Sequence, residues 1–211
     1  MLTVLIDYDS GNLHSAQKAF ERMAREGDAG DVIVSDRAED VARADRVVLP
    51  GDGAFPACKA ALSGRSGLFE ALIEAVEVKA RPFLGICVGM QMMARAGFEY
   101  ETVPGLGWIE GEVRPIPVSG GRKVPHMGWN DLVIEQAHPV LDGIKSGDHA
   151  YFVHSYHMSM TRLDQRLAHV DYGSDVTAIV AQKTMVGMQF HPEKSQATGL
   201  RMIANFLNWR P

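Results

Sequence analysis

The chain has 211 residues, 46% apolar and 22% charged, a balance that belongs to a globular protein rather than a disordered or fibrous one. That length accommodates a single domain, residues 1–211, with at most a modest insertion; folding buries roughly 70% of the surface exposed by the open chain, so no disulfide or metal staple is needed. Twenty-six acidic against twenty-one basic residues give a net charge of -5, which argues against nucleic acid or an anionic membrane as partner and leaves small molecules and proteins.

The N-terminus has neither a basic start nor an apolar run long enough for a signal peptide or a membrane span. A cytoplasmic setting is therefore expected, in which the thiols of Cys58 and Cys87 stay reduced. Residues 4–8 (VLIDY) predict a strand, Gly11 and Asn12 a turn, and the stripe Leu13, Ala16, Phe20, Met23 a helix. Residues 32–34 and 46–49 are further short β-branched runs, the second stopped by Pro50 and Gly51. Leu68, Phe69, Leu72, Ile73 and Val76 recur at helical spacing before Pro82, and residues 83–86 form another buried run. Alternating strand and helix predicts an α/β fold with an open, mostly parallel sheet flanked by helices.

From Trp108 the pattern becomes alternating segments broken by Gly and Pro, at 108–116, 124–129, 132–135 and 151–160, which predict an antiparallel extension. Two late strands, 177–182 and 185–190, are joined by Lys183 and Thr184, and Leu200, Ile203, Phe206 and Leu207 mark a closing helix.

Gly85-Ile86-Cys87-Val88-Gly89 places a thiol between two glycines, directly after an apolar strand and before the apolar-striped stretch 90–96. This is the context of a nucleophile elbow, a strand-to-helix turn that strains the backbone and lifts the nucleophile above the sheet. At the start of a helix the dipole favours thiolate, and the Val88 amide can donate to an oxyanion. An isolated cysteine is more often a small core residue, and Cys58, which lacks such a setting, is assigned to packing or surface.

Met188-Gln189-Phe190-His191-Pro192-Glu193-Lys194-Ser195 lies at the end of the last predicted strand. In extended chain, residues two apart point the same way, so His191 and Glu193 can face one site, where the carboxylate fixes the imidazole tautomer. His-Pro-Glu alone would be an ordinary surface turn. Both motifs, however, fall at the carboxyl ends of predicted strands, where open α/β sheets place their sites. His149, His154 and His157 lack metal-ligand spacing, so no metal is expected, and no phosphate-binding glycine loop is present.

Residues 85–91 together with 189–195 resemble the signature pair of the class I glutamine amidotransferases, whose fold is of flavodoxin-like type. Residues 7–12 (DYDSGN), 49–55 (LPGDGAF), 125–130 (PHMGWN) and 151–156 (YFVHSY) narrow the resemblance to the glutaminase subunits of imidazole glycerol phosphate synthase, and it runs essentially end to end. The resemblance implies that Cys87 attacks the carboxamide of glutamine, that His191 protonates the departing ammonia, and that Glu193 holds His191, with no cofactor. It further implies oxyanion donors at Val88 and in the Gly51–Asp52 loop, and a glutamine subsite made by Gln91, Glu99 and the backbone of His154, Ser155 and Tyr156. Asn12, Trp129, Tyr151 and Lys194 would face a (β/α)8-barrel cyclase subunit in a heterodimer. Asp52 departs from an apolar residue common in the family, and an acid there opposes the charge of an oxyanion. Asp9 replaces a common glycine. Alternatives from the same residues are a glutaminase serving another synthase (anthranilate, carbamoyl phosphate or guanylate), a cysteine hydrolase of esters or peptides, and a regulatory subunit that binds without turnover.

Overall fold

The computed structural model describes residues 1–117 and 121–211. Strand and helix alternate through β1 (Leu2–Ile6), α1 (Leu13–Glu26), β2 (Asp31–Ser35), α2 (Ala38–Ala42), β3 (Arg46–Leu49) and α3 (Phe55–Gly64). Next come α4 (Leu68–Ile73), which continues as a π-helical turn at Glu74–Val78, and β4 (Phe83–Ile86). A single helical turn, α5 (Val88–Gln91), leads to β5 (Ala96–Glu99), β6 (Glu101–Pro104) and β7 (Gly111–Pro115). The remainder comprises β8 (His126–Asp131), β9 (Val133–Ile134), β10 (His149–His154), β11 (Tyr156–Met160), β12 (Arg166–Asp171), β13 (Asp175–Gln182), β14 (Met185–Met188) and α6 (Gln196–Asn208).

An eight-stranded sheet in the order β2-β1-β3-β4-β14-β13-β12-β9 organises these elements. Pairing is parallel from β2 to β14 and antiparallel from β14 to β9. This is the parallel sheet with an antiparallel extension that the residue pattern predicts. Every residue of β3, β4 and β14 is buried, as expected where helices cover both faces of a sheet centre. The stripe on α1 packs on α6, with Phe20 edge-on to Phe206 at 6.5 Å between ring centroids.

Several local expectations change. The apolar stretch 90–96 does not extend the helix. Instead the carbonyls of Met92, Met93 and Ala94 accept from the amides of Leu106, Trp108, Ile109 and Gly107 in a returning loop, while Met90 and Met93 pack on Gly187 of β14. The segment 151–160 divides at Ser155: β10 pairs with β8, whereas β11 pairs with β7 in a separate four-stranded sheet, β11-β7-β5-β6. The hairpin β5–β6, strand β12 and helix α3 have no counterpart among the predicted elements. The late hairpin β13–β14 does, with Lys183 at a φ of 52° in its turn.

The elbow works by steric exclusion. Cys87 has φ 54° and ψ -111°, an arrangement costly for any residue with a Cβ. A Cβ on Gly89 would lie 1.8 Å from Leu49 O, and one on Gly85 would lie 2.6 Å from Gly89 O. Gly89→Ala is therefore expected to destabilise the protein by about 4 kcal/mol or more, because the collision is with backbone. Denaturant titration against wild type measures it.

Candidate active site

Because β4 and β14 are parallel neighbours, with Met188 opposite Ile86, their carboxyl ends emerge side by side. Cys87 follows the first and His191 follows the second by three residues, and the Cys87 amide donates to Met188 O at 2.8 Å. His191 is extended (φ -93°, ψ 100°), whereas Pro192–Lys194 forms a 3-10 turn, so Glu193 reaches the imidazole by chain reversal and not by the strand-like spacing expected from sequence. His191 Nδ1 lies 2.9 Å from Glu193 Oε1, and both side chains are almost wholly buried. Nε2 has no partner of ordinary hydrogen-bond geometry and is left for the thiol of Cys87. Burial disfavours the imidazolium, but hydrogen bonding and charge interaction with Cys87 and Glu193 outweigh it and raise His191 to about 10. The balance favours the charged imidazole beside the sulfur.

Above Cys87 lies a cleft of about 270 Å³ lined by Asp52, Gly53, Val88, Gln91, Glu99, Pro125 and residues 153–156, a size that suits an amino acid better than a drug-sized ligand. A larger hollow of about 670 Å³, bounded by residues 134–139 and 141–144, contains no nucleophile. Gln91 donates from Nε2 to Tyr156 O and Gln189 Oε1, both at 3.0 Å, so its carbonyl oxygen remains as acceptor. Glu99 accepts from the Phe55 amide at 2.8 Å through one carboxylate oxygen. Ser155, at the break between β10 and β11, brings the backbone of 154–156 to the rim.

Val88 opens α5, where the first amides have no intrahelical partner. Gly51 packs on the elbow: a Cβ there would lie 2.8 Å from Gly89 N. Asp52 borders the cleft, but its amide donates to Ser10 Oγ at 3.0 Å, so in this conformation it does not offer the oxyanion donor that the resemblance assigns to it. A rotation of that peptide has to precede the role. Asp9 sits at φ 63° and pairs with Arg65; the left-handed backbone explains why glycine suits the position. Cys58 is buried, its Sγ 3.1 Å from Ser10 Oγ, which places it in packing.

Of the residues assigned to a partner, Trp129 is 49% exposed and meets Tyr151 edge-on at 5.7 Å across β8 and β10. Tyr151 also grips the histidine segment: its carbonyl accepts from the His191 amide at 3.1 Å, and its amide donates at 2.9 Å to Ser195 Oγ, which in turn donates to His191 O at 2.7 Å. Asn12 caps α1 and borders a small void shared with Gly51, His191 and Glu193. Lys194 lies on the 3-10 turn, half-buried. Sequence reasoning gave no role to Ser195 or Gln189, although both lie inside the motif it singled out. His149 pairs with Asp131 at the surface, away from His154. Glu135, His169 and Asp175 do converge, and the Arg166 guanidinium pairs with both carboxylates, at 2.7 Å from Glu135 and 3.3 Å from Asp175.

A family model described as glutamine amidotransferase class-I matches residues 5–209. The chain belongs to the class I glutamine amidotransferases. Within that family it is 68% identical to the imidazole glycerol phosphate synthase subunit HisH of Ruegeria pomeroyi and 69% to that of Cereibacter sphaeroides, each over 212 residues and 100% of both chains. The subunit of the same name from Rhodospirillum rubrum is 55% identical over 214 residues, again with 100% of both chains covered. Among solved structures, a glutamine amidotransferase superposes with TM-score 0.73 at 19% identity over 98% of this chain and 99% of its own. The glutaminase domain of Trypanosoma brucei CTPS, solved with bound acivicin, gives 0.67 at 14% identity over 100% and 95%. These structures share the amidotransferase fold. Among the described residues, no helix of this amidotransferase is long and apolar enough to cross a membrane.

Two titrations follow from the buried histidines. Glu193→Gln removes a charge that raises His191, so its imidazole is expected to titrate lower than in the wild type; a ring-proton NMR titration reads the shift. His154 Nδ1 faces Tyr156 O at 2.8 Å and must donate to it, so His154 Nε2 accepts from His126 Nδ1 at 3.0 Å, and both rings are neutral. Burial lowers His126 to about 4 and His154 to about 3. The unfolded chain binds these protons first, so their contribution is complete above about 6.5 and is lost as pH falls toward 4. Thermal midpoints measured across that window are expected to fall with acidification, and less so in His126→Asn.

Proposed function

We propose that this chain hydrolyses glutamine to glutamate and ammonia through a cysteine thioester. In this reading it passes the ammonia to a separate (β/α)8-barrel cyclase subunit that makes imidazole glycerol phosphate and aminoimidazole carboxamide ribonucleotide in histidine biosynthesis. The observation that carries the chemistry is Cys87 lining an amino-acid-sized cleft, with the buried pair His191 and Glu193 beside its sulfur. The choice of acceptor reaction rests on the full-length identity of 68–69% to the synthase subunits.

The α-amino group of glutamine would meet the free carbonyl of Gln91 and the Glu99 carboxylate, and its carboxylate the backbone of 154–156. The Cys87 thiolate adds to the side-chain carbonyl, and the oxygen that becomes negative is stabilised by the Val88 amide and by an amide of the Gly51–Asp52 loop once that peptide has turned. Collapse of the tetrahedral adduct breaks the C–N bond while His191, held as imidazolium by Glu193, gives its proton to the leaving ammonia. Neutral His191 then takes a proton from water, whose oxygen displaces the thiolate and releases glutamate. Ammonia exposed to neutral water becomes ammonium, whose nitrogen has no lone pair to attack with, so transfer has to be shielded by the partner. Trp129, Tyr151, Asn12 and Lys194 supply the docking side, in a heterodimer.

Cys87→Ala is expected to reduce glutamate release to background in the purified complex; wild-type turnover in that variant would exclude the thioester route. Wild-type glutamate release is expected to accelerate on adding the cyclase with its ribonucleotide ligand, and equal rates with and without them would exclude coupling.

A further inference from the structure

Gln189 is wholly buried at the end of β14, with its backbone amide fixed to Ala178 O at 2.8 Å. An apolar side chain would fill such a place at no polar cost, whereas a buried carboxamide needs partners for both of its ends. Its Nε2 lies 3.7 Å from Cys87 Sγ, and its Oε1 accepts from Gln91 Nε2 at 3.0 Å. Simple donor and acceptor logic fixes this orientation. The carbonyl of Tyr156 can only accept, so the end of Gln91 that faces it at 3.0 Å is the NH2 group. That same NH2 group meets Gln189, whose oxygen must therefore be the acceptor, which turns the Gln189 NH2 toward sulfur.

We infer that Gln189 is a positioning residue for the nucleophile, its amide holding the Cys87 sulfur in place and favouring the thiolate over the thiol. An N–H donor contributes little to a neutral thiol, but the bond becomes charge-assisted when the sulfur is negative. The benefit therefore arises in the attacking state and again when the thioester collapses. Gln189 and His191 stand two apart in the segment that leaves β14 and both approach the sulfur, one as a neutral donor and the other as a cation. Gln91 ties this donor to the cleft, because it offers its carbonyl to substrate while its NH2 group holds Gln189 in register.

The inference rests on Cys87 being the nucleophile proposed above. The test uses Gln189→Met and Gln189→Leu, which keep an apolar volume in the core and remove the donor. Iodoacetamide labelling of Cys87 is followed by peptide mass against pH, and glutamate release is followed in the complex with the cyclase subunit. The expected result is an alkylation profile displaced to higher pH, with labelling about tenfold slower on its acid side, and kcat about tenfold lower at a KM for glutamine changed less than about twofold. Unchanged alkylation and kcat in a variant that melts cooperatively would overturn the inference. A higher KM with an unmoved profile would overturn it too, since Gln189 would then act only through Gln91. Loss of cooperative melting in one variant leaves the readings to the other, and loss in both makes Gln189 a core element and overturns the assignment. Cys87→Ala run in parallel separates the two readings: glutamate release in that variant removes the thioester mechanism itself, whereas its absence beside unaltered Gln189 variants removes only this inference.

Discussion

Everything at the site follows from one pairing, the parallel contact of β4 with β14. It sets Gly187 opposite Gly85 and Met188 opposite Ile86, so two segments about a hundred residues apart in sequence leave the sheet at one point. The hydrogen bond from the Cys87 amide to Met188 O extends that register by one step beyond the strands. A slip of one residue would turn Gln189 and His191 to the opposite face and strand the thiol. Burial of every residue in both strands makes that slip expensive, so the hydrophobic core, rather than any contact within the site, fixes the distance between Cys87 and His191.

Around this pairing the polar groups form one connected system. Asn130 meets His126, His126 meets His154, His154 donates to Tyr156 O, and Gln91 and Gln189 carry the chain on to the sulfur. The histidines in this system differ in charge for a physical reason. His191 has Cys87 and the Glu193 carboxylate beside it and holds its proton, while His126 and His154 are buried against aromatic rings, with no carboxylate partner among the described residues, and remain neutral.

Much of this was legible in the sequence. The four early strands, the late hairpin and α6 announce themselves by apolar runs and periodicity, and Cys87 and His191 by glycine and proline context. What escaped had no local signal. The run 90–96 has helical spacing yet leaves the helix after one turn, because side chains packed on the sheet from a non-helical segment leave the same apolar pattern as a helix face. β5, β6 and β12 carry Gly, Glu, Thr, Arg and His in place of a continuous β-branched run. The partner of the Asp52 amide, Ser10, is forty-two residues away, and Gln189 acquires meaning only once Gln91 and Cys87 are beside it. Cleft residues such as Glu99 and Ser155, proposed for the glutamine subsite, came from family resemblance alone, since nothing local distinguishes a cleft carboxylate from a surface one.

The elbow leaves the nucleophile no freedom on its own side. Leu49 O and Gly89 press against it from below, so any side chain added there breaks the backbone before it adjusts the sulfur. The opposite wall is built from β10 and the segment after β14, whose backbones are laced together through Tyr151, Ser195 and His191. That wall continues, through the pairing of β10 with β8, into the edge-on pair of Tyr151 and Trp129 at the outer surface. A change that shifts the Tyr151 backbone therefore acts on the histidine segment and on the outer surface at once.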